Sequence, residues 1–444
     1  MSQLKILFLF GLGLGSVLAL HAEQPAAALD RAFEAFWQAA DPDAQAAAIH
    51  AVLDSGATFE QVWARLAAGR PYSGRVKTGR VDLVNRTSDR VLHHYRVAVP
   101  RSYDPDKRYP ARFYLHGGVS RPAWHKGGAW WSNYAQFEDP RWISVFPSAW
   151  RESMWWQRRQ AENLPAILDH LKRVYNLDEN AVHLLGISDG STGVYFFAFR
   201  VATPWASFLP FLGHPAVLAN RRLGIEGQMY ARNLLDRPFF IVTGDRDRLY
   251  PSARMPPYLD LLRRAGAAVE YHPQPTAGHD TSWYPAESEN IRAFIAAHRR
   301  DPLPERLAWE TERTDRYQRN RWLLITELGP AAGDTAFDDL NTLGPPAEGW
   351  AAFPHRQPSG RVELVRDDNV IRVRSQGVRA YRLLLSPEEL DFDRPLTVFT
   401  NGRQSWQGRL ERDARTLLEW AARDNDRTML FGAELEIRLP PRDG

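Results

Sequence analysis

The sequence predicts an α/β protein, a mostly parallel sheet flanked by helices, with a helical segment before it and a small β-rich domain after it. Three observations carry this prediction. Short apolar runs at Ala111 to Leu115, Trp142 to Phe146, Val182 to Leu185, Phe208 to Leu212, Phe239 to Val242 and Ala268 to Tyr271 alternate with helical stretches such as Ala161 to Tyr175 and Tyr258 to Ala265. That alternation implies parallel strands buried on both faces, with ligand chemistry at their carboxyl ends. One of these runs passes straight into Gly186-Ile187-Ser188-Asp189-Gly190 and then into a helical stretch with Val194, Phe196, Phe197 and Phe199. The last hundred residues instead alternate with a period of two.

In chain order, an apolar run from Ile6 to Leu20 behind Lys5 reads as a signal peptide over residues 1–22. Its implication is a secreted or periplasmic protein with no membrane span left after cleavage. Residues 23–70 carry helical spacing, with Leu29, Phe33, Phe36 and Trp37 on one face, then Ile49 and Val52, then Phe59, Val62 and Leu66. After Pro71 the runs Val81 to Val84 and Val91 to Val99 form a hairpin, and residues 71–300 make the α/β domain, closed by a helix near Ser288 to Ala297. Arg299 to Pro304 is linker-like, so 301–344 is expected to be connecting chain. Residues 345–444 are expected to be a β-sandwich-like domain, with strands at Arg361 to Val365, Val370 to Arg374, Tyr381 to Leu385, Leu396 to Thr400 and Glu434 to Leu439, and a turn at Asn401-Gly402.

Composition narrows the chemistry. A formal charge of +3 without a Lys/Arg block argues against nucleic acid as a partner. Zero cysteines rule out disulfides and thiol nucleophiles, and no metal or cofactor is expected. A serine between two glycines at a strand-to-helix turn has its hydroxyl exposed, and the glycines let strand and helix backbones approach. Ser188 is therefore the candidate nucleophile. The backbone N–H of Asp189 is a candidate oxyanion donor, and the turn His116-Gly117-Gly118-Val119 after an earlier strand supplies a second set at Gly117, Gly118 and Val119. A serine hydroxyl needs a base, and His279, after the last strand of the sheet, is favoured among 13 histidines. The third member follows the penultimate strand, where Asp247 is preferred and Asp245 is the alternative. The order Ser188, Asp247, His279 is the one expected of such a sheet.

With these motifs in place, the region from about Arg90 to His298 resembles the α/β-hydrolase superfamily. The Val99-Pro100-Arg101-Ser102-Tyr103 opening, the His116-Gly117-Gly118 turn and the Gly186 to Gly190 elbow are similar to those of secreted esterases (feruloyl, acetyl-xylan and polyhydroxybutyrate depolymerase-like) and of prolyl oligopeptidase-like catalytic domains. The resemblance implies a cofactor-free serine hydrolase acting through an acyl-enzyme on a small or polymer-linked ester. A peptidase or amidase, or a glycan-binding protein on a hydrolase fold, are the alternatives, with polysaccharide a candidate partner. Seven tryptophans fall between Trp124 and Trp156. Of these, Trp124, Trp130, Trp131, Trp155 and Trp156, together with Trp283, are candidate stacking surfaces for a substrate.

Overall fold

The computed structural model describes residues 27–125, 134–344 and 348–442. The expected signal peptide, Trp130 and Trp131 lie outside the described residues. Among the described residues, no helix is long and apolar enough to cross a membrane.

The chain divides into two compact units. The smaller joins Met1–Arg70 to Arg412–Ala433. It contains α1 (27–38), α2 (Pro42–Asp54), α3 (Phe59–Ala68) and a fourth helix, Ala414–Asp424. Asp41 caps α2 through its side chain, and Thr58 with Gln61 forms a reciprocal capping box on α3. The apolar faces read from the sequence meet here: Leu29, Phe33, Phe36, Ile49, Val52, Val62 and Leu66 share one core with Leu417, Leu418 and Leu430. The fourth helix lies within residues 345–444, expected to be β-sandwich-like, and no helix was expected there. Asp413 caps it, and its buried face (Leu417, Leu418, Trp420, Ala421) completes a core that three short helices alone would leave open.

The larger unit, Pro71–Glu411 with Glu434–Gly444, carries the main sheet. Its strands are β1 (Gly79–Arg86), β2 (Leu92–Val99), β3 (Tyr109–Leu115), β4 (Ile143–Pro147), β5 (Leu177–Ile187), β6 (Ser207–Phe211), β7 (Pro238–Gly244) and β8 (Ala268–Gln274), in spatial order 1-2-4-3-5-6-7-8. β2 pairs antiparallel with both neighbours and every later pair is parallel. β4 and β6 are buried at every residue, as strands covered on both faces must be, whereas β2 alternates. Helices α4 (Arg158–Val174), α5 (Asp189–Arg200), α6 (Pro256–Arg264) and α7 (Tyr284–Ala297) connect or close the sheet.

The stretch expected to be a linker is structured. It contributes β9 (Arg306–Thr311), β10 (Arg319–Asn320), β11 (Leu323–Leu328) and β12 (Thr342–Leu343), the last pairing with β13 (Trp350–Ala351). With β14 (Gly360–Asp367), β15 (Val370–Gln376), β16 (Val378–Leu385), β17 (Leu396–Thr400), β18 (Arg403–Gly408) and β19 (Ala433–Arg438), they build a five-stranded sheet, 18-17-15-14-9, and a four-stranded one, 10-11-16-19. The β-rich part thus begins near Arg306, because β9 is needed as the edge partner of β14. It is tied to α5, whose last residue, Arg200, makes two 2.8 Å bonds to Glu312 and lies 4.4 Å from the Tyr317 ring centre. Both partners of this pair are buried, so removing either one strands a charge, at a typical cost of about 3–5 kcal/mol.

Three buried histidines give the fold an acid-sensitive component. Burial pushes His183 and His116 down to about 3 and His93 to about 4, from an ordinary 6.5. Above 6.5 these groups are neutral folded or unfolded and add no pH dependence. As pH falls from about 6.5 toward 3, the unfolded chain takes up protons that the folded chain refuses. Each such residue then removes about 1.4 kcal/mol per pH unit. His183 Nδ1 lies 2.7 Å from Ser207 Oγ, a contact that an asparagine can imitate without titrating. His183→Asn is expected to flatten the fall in thermal-unfolding midpoint between pH 6.5 and 4.5, and an unchanged slope would count against this assignment.

Candidate active site

The site is assembled at the carboxyl ends of β3, β5, β7 and β8. Ser188 sits between β5 and α5 with φ 57° and ψ −119°, a conformation that turns its side chain out of the sheet. Its N–H donates to Phe211 O on β6. The flanking glycines are sterically required: a Cβ at Gly186 would lie 2.3 Å from Gly190 O, and one at Gly190 would lie 1.9 Å from Leu115 O.

His279 lies in the loop between β8 and α7. Its Nε2 is 2.9 Å from Ser188 Oγ and its Nδ1 is 2.8 Å from Asp247 Oδ2. A carboxylate only accepts, so Nδ1 carries the imidazole proton and Nε2 is left to accept the serine hydroxyl. Asp247 is 2 % exposed, and its other oxygen accepts from the N–H groups of Leu249 (2.8 Å) and Tyr250 (3.0 Å). Asp245, the alternative, is exposed. The turn after β7 separates the two: Asp247 N–H closes onto Gly244 O, while Asp245 N–H bonds Gln274 O on β8. The structure therefore brings together Ser188, Asp247 and His279.

The loop after β3 is held from several sides. His116 Nδ1–H donates to Gly117 O, and its Nε2 accepts from Ala149 N–H, so the ring is kept in one neutral tautomer. Trp155 Nε1–H donates to His116 O, and Arg121 donates to the carbonyls of both Gly117 and Gly118. With these oxygens bound outward, the peptide planes direct the N–H groups of Gly117 and Gly118 to the opposite side. A Cβ on Gly117 would fall 3.5 Å from Ser188 Oγ, which places this turn against the hydroxyl. Val119 is a correction to the expected donor set, because its N–H donates to Asp189 Oδ2 at 2.8 Å and is occupied. The carboxylate of Asp189 thus pins the β3 turn, while its own N–H opens the first turn of α5, where helix N–H groups lack intrahelical partners.

The tryptophan expectation is corrected at three of its six positions. Trp155, Trp156 and Trp283 are 0 %, 2 % and 5 % exposed. Trp155 props the β3 turn, Trp156 Nε1–H bonds Leu223 O, and Trp283 packs edge-on to Phe211, 5.1 Å away. These three are core residues and offer no stacking face. Trp124 is half-buried, with its ring centre 4.8 Å from that of His94. Sequence reasoning missed Arg121 and Tyr250. The Tyr250 ring lies 5.7 Å from that of His279, and burial followed by the charges of Asp189 and Asp247 raises its hydroxyl pKa. Its position three residues after Asp247 was the available signal.

Strand order, the single reversed strand and the strand-to-helix serine turn define the class: the chain has the α/β-hydrolase fold. A scan against protein-family models finds no match, and a search of curated proteins finds none. Among solved structures, the chain is similar to a thermostable esterase at 19% identity, over 50% of this chain and 63% of that one, with a TM-score of 0.40. It is similar to Thermogutta terrifontis esterase 2 at 14% identity, over 49% of this chain and 94% of that one, with a TM-score of 0.40. A third similarity is to an acylaminoacyl peptidase at 12% identity, over 50% of this chain and 41% of that one, with a TM-score of 0.38. The chain thus spans 63% of the length of the thermostable esterase.

Proposed function

We propose that this protein is a serine hydrolase that cleaves carboxylic esters through an acyl-enzyme. The observation that carries this reading is the continuous relay Ser188 Oγ, His279 Nε2, His279 Nδ1, Asp247 Oδ2, with separations of 2.9 and 2.8 Å. In the first half-reaction Ser188 Oγ bonds to the ester carbonyl carbon and its proton passes to His279 Nε2. The N–H groups of Asp189 and of the Gly117-Gly118 turn receive the oxyanion, and Asp247 stabilises the imidazolium. The alcohol leaves with the proton held by His279. In the second half, water gives a proton to His279 and its oxygen to the acyl carbon, and the carboxylic acid departs as Ser188 regains its hydrogen. No step requires a metal or cofactor. Action in the periplasm or outside the cell is part of the proposal, supported by the apolar run from Ile6 to Leu20.

The test is covalent. A fluorophosphonate probe is expected to label the intact chain at Ser188, and Ser188→Ala is expected to lose both labelling and turnover of p-nitrophenyl acetate while keeping its circular dichroism spectrum. Labelling elsewhere, or turnover that survives the substitution, sinks the reading. Comparing p-nitrophenyl acetate with the matching anilide then separates ester from amide specificity.

A further inference from the structure

The outward face of the five-stranded sheet carries a second arrangement that the ester chemistry does not use. Side chains alternate across a strand, so residues paired in register share a face. The pairings Arg306↔Val365, Val365↔Arg372, Arg372↔Phe399 and Phe399↔Gln404 place these five residues in one row, from edge strand β9 to edge strand β18. Arg306, Val365, Arg372 and Gln404 are exposed and Phe399 is half-buried. In the next row of the same face Glu363 pairs with Arg374. A cleft of about 530 Å³ opens over all of these residues except Gln404, where the sheet meets the turn at Ala231–Leu234.

The charge in this cleft is one-sided. Glu363 is consumed by Arg232, 2.9 Å away, and by Arg361. Among the described residues, no carboxylate pairs with Arg306, Arg372 or Arg374. Arg372 lies 5.8 Å from the Phe399 ring centre, and Arg374 donates to Ala336 O and lies 4.7 Å from the Phe337 ring centre. Guanidinium forks are suited to bidentate capture of carboxylates, and the accessible part of a half-buried aromatic ring suits the apolar face of a sugar ring.

We infer that this face is a binding site for an acidic polysaccharide, with Arg306 and Arg372 taking carboxylates and Phe399 stacking on a ring between or beside them. Arg306 and Arg372 stand two strand spacings apart, about 10 Å, close to the separation of alternate residues in an extended polysaccharide. Duplex nucleic acid presents a charge about every 1.7 Å and calls for a denser basic field than this row offers. The site is independent of the proposed ester cleavage, and its test is read without turnover.

The full-length protein is run in native gels containing polygalacturonate, neutral arabinoxylan or no polymer. Retardation is expected only with polygalacturonate and is expected to fade as salt is raised. Arg306→Gln and Arg372→Gln, both at exposed positions, are each expected to weaken binding at least tenfold while leaving p-nitrophenyl acetate turnover and the circular dichroism spectrum unchanged. Four results would overturn the inference: no retardation, equal retardation in arabinoxylan, retardation untouched by either substitution, or displacement of the polymer by a short DNA duplex at lower concentration. Loss of ester turnover in the wild-type protein, with polymer binding intact, would strike the proposed function and leave this site standing.

Discussion

Asp247→Asn is expected to lower kcat on a short p-nitrophenyl ester by about 10⁴-fold, and Asp245→Asn to leave it within a factor of about three. The asymmetry follows from geometry. The Asp247 carboxylate accepts three hydrogen bonds, two from backbone N–H groups that fix its plane and one from His279 Nδ1. An asparagine there retains the shape but can turn an N–H₂ toward Nδ1, which favours the tautomer with its proton on Nε2. The imidazole then loses the lone pair that must receive the serine proton. Asp245 is exposed and contributes its backbone to the β8 pairing, so its side chain can change freely. Parallel measurement of kcat and KM in the two variants decides the matter, and a larger loss at Asp245 would reverse the assignment. KM is expected to move little in Asp247→Asn, because that carboxylate is buried behind His279.

Gly190→Ala is expected to destabilise the larger unit by more than the roughly 1–3 kcal/mol usual for an overpacked core. The added methyl would sit 1.9 Å from Leu115 O and 2.6 Å from Leu115 C, both backbone atoms at the carboxyl end of an interior strand. No rotamer change can relieve that overlap; α5 must lift away from β3. Since α5 carries Ser188 at its start and the β3 strand leads into the Gly117-Gly118 turn, the same displacement separates the hydroxyl from that turn. Gly74→Ala is the control, with an ordinary 3.8 Å contact to Pro105 and no left-handed backbone. A midpoint in Gly190→Ala equal to that of the control would contradict the steric argument.

What could be read from the sequence depended on the kind of signal. Buried parallel strands announce themselves as apolar runs, so β3 to β7 were legible, and the elbow was legible because glycines at Gly186 and Gly190 answer a backbone constraint; β8, an edge strand with no buried residue, was read only from its short run Ala268 to Tyr271. β10, β12 and β13 are two residues long and have no period to detect. β9 was hidden behind the prolines of the Arg299 to Pro304 stretch, and helix Ala414–Asp424 behind its β-rich surroundings. Trp155 and Trp156 show a different limit: composition shows how many aromatic rings lie near a site, but their direction is set by partners such as His116 O and Leu223 O. Choosing between Asp245 and Asp247 depended on the turn hydrogen bonds that bury one and expose the other. The His116 to Val119 turn was legible as the end of a strand, but the capture of Val119 N–H by Asp189 is a tertiary contact between residues 70 positions apart.

The smaller unit draws its fourth helix from far along the chain, and this orders events during synthesis. Helices α1 to α3 emerge first, yet Leu417, Leu418 and Leu430, which close their core, emerge last. At the ribosome's pace of 5–20 residues per second, the interval between Arg70 and Arg412 leaves that apolar face uncovered for roughly 20–70 s. Throughout that wait the nascent helices present a surface that a holdase can occupy, and the eight-stranded sheet of the larger unit, complete by Gln274, can assemble on the growing chain before the first-made segment has a partner to fold with.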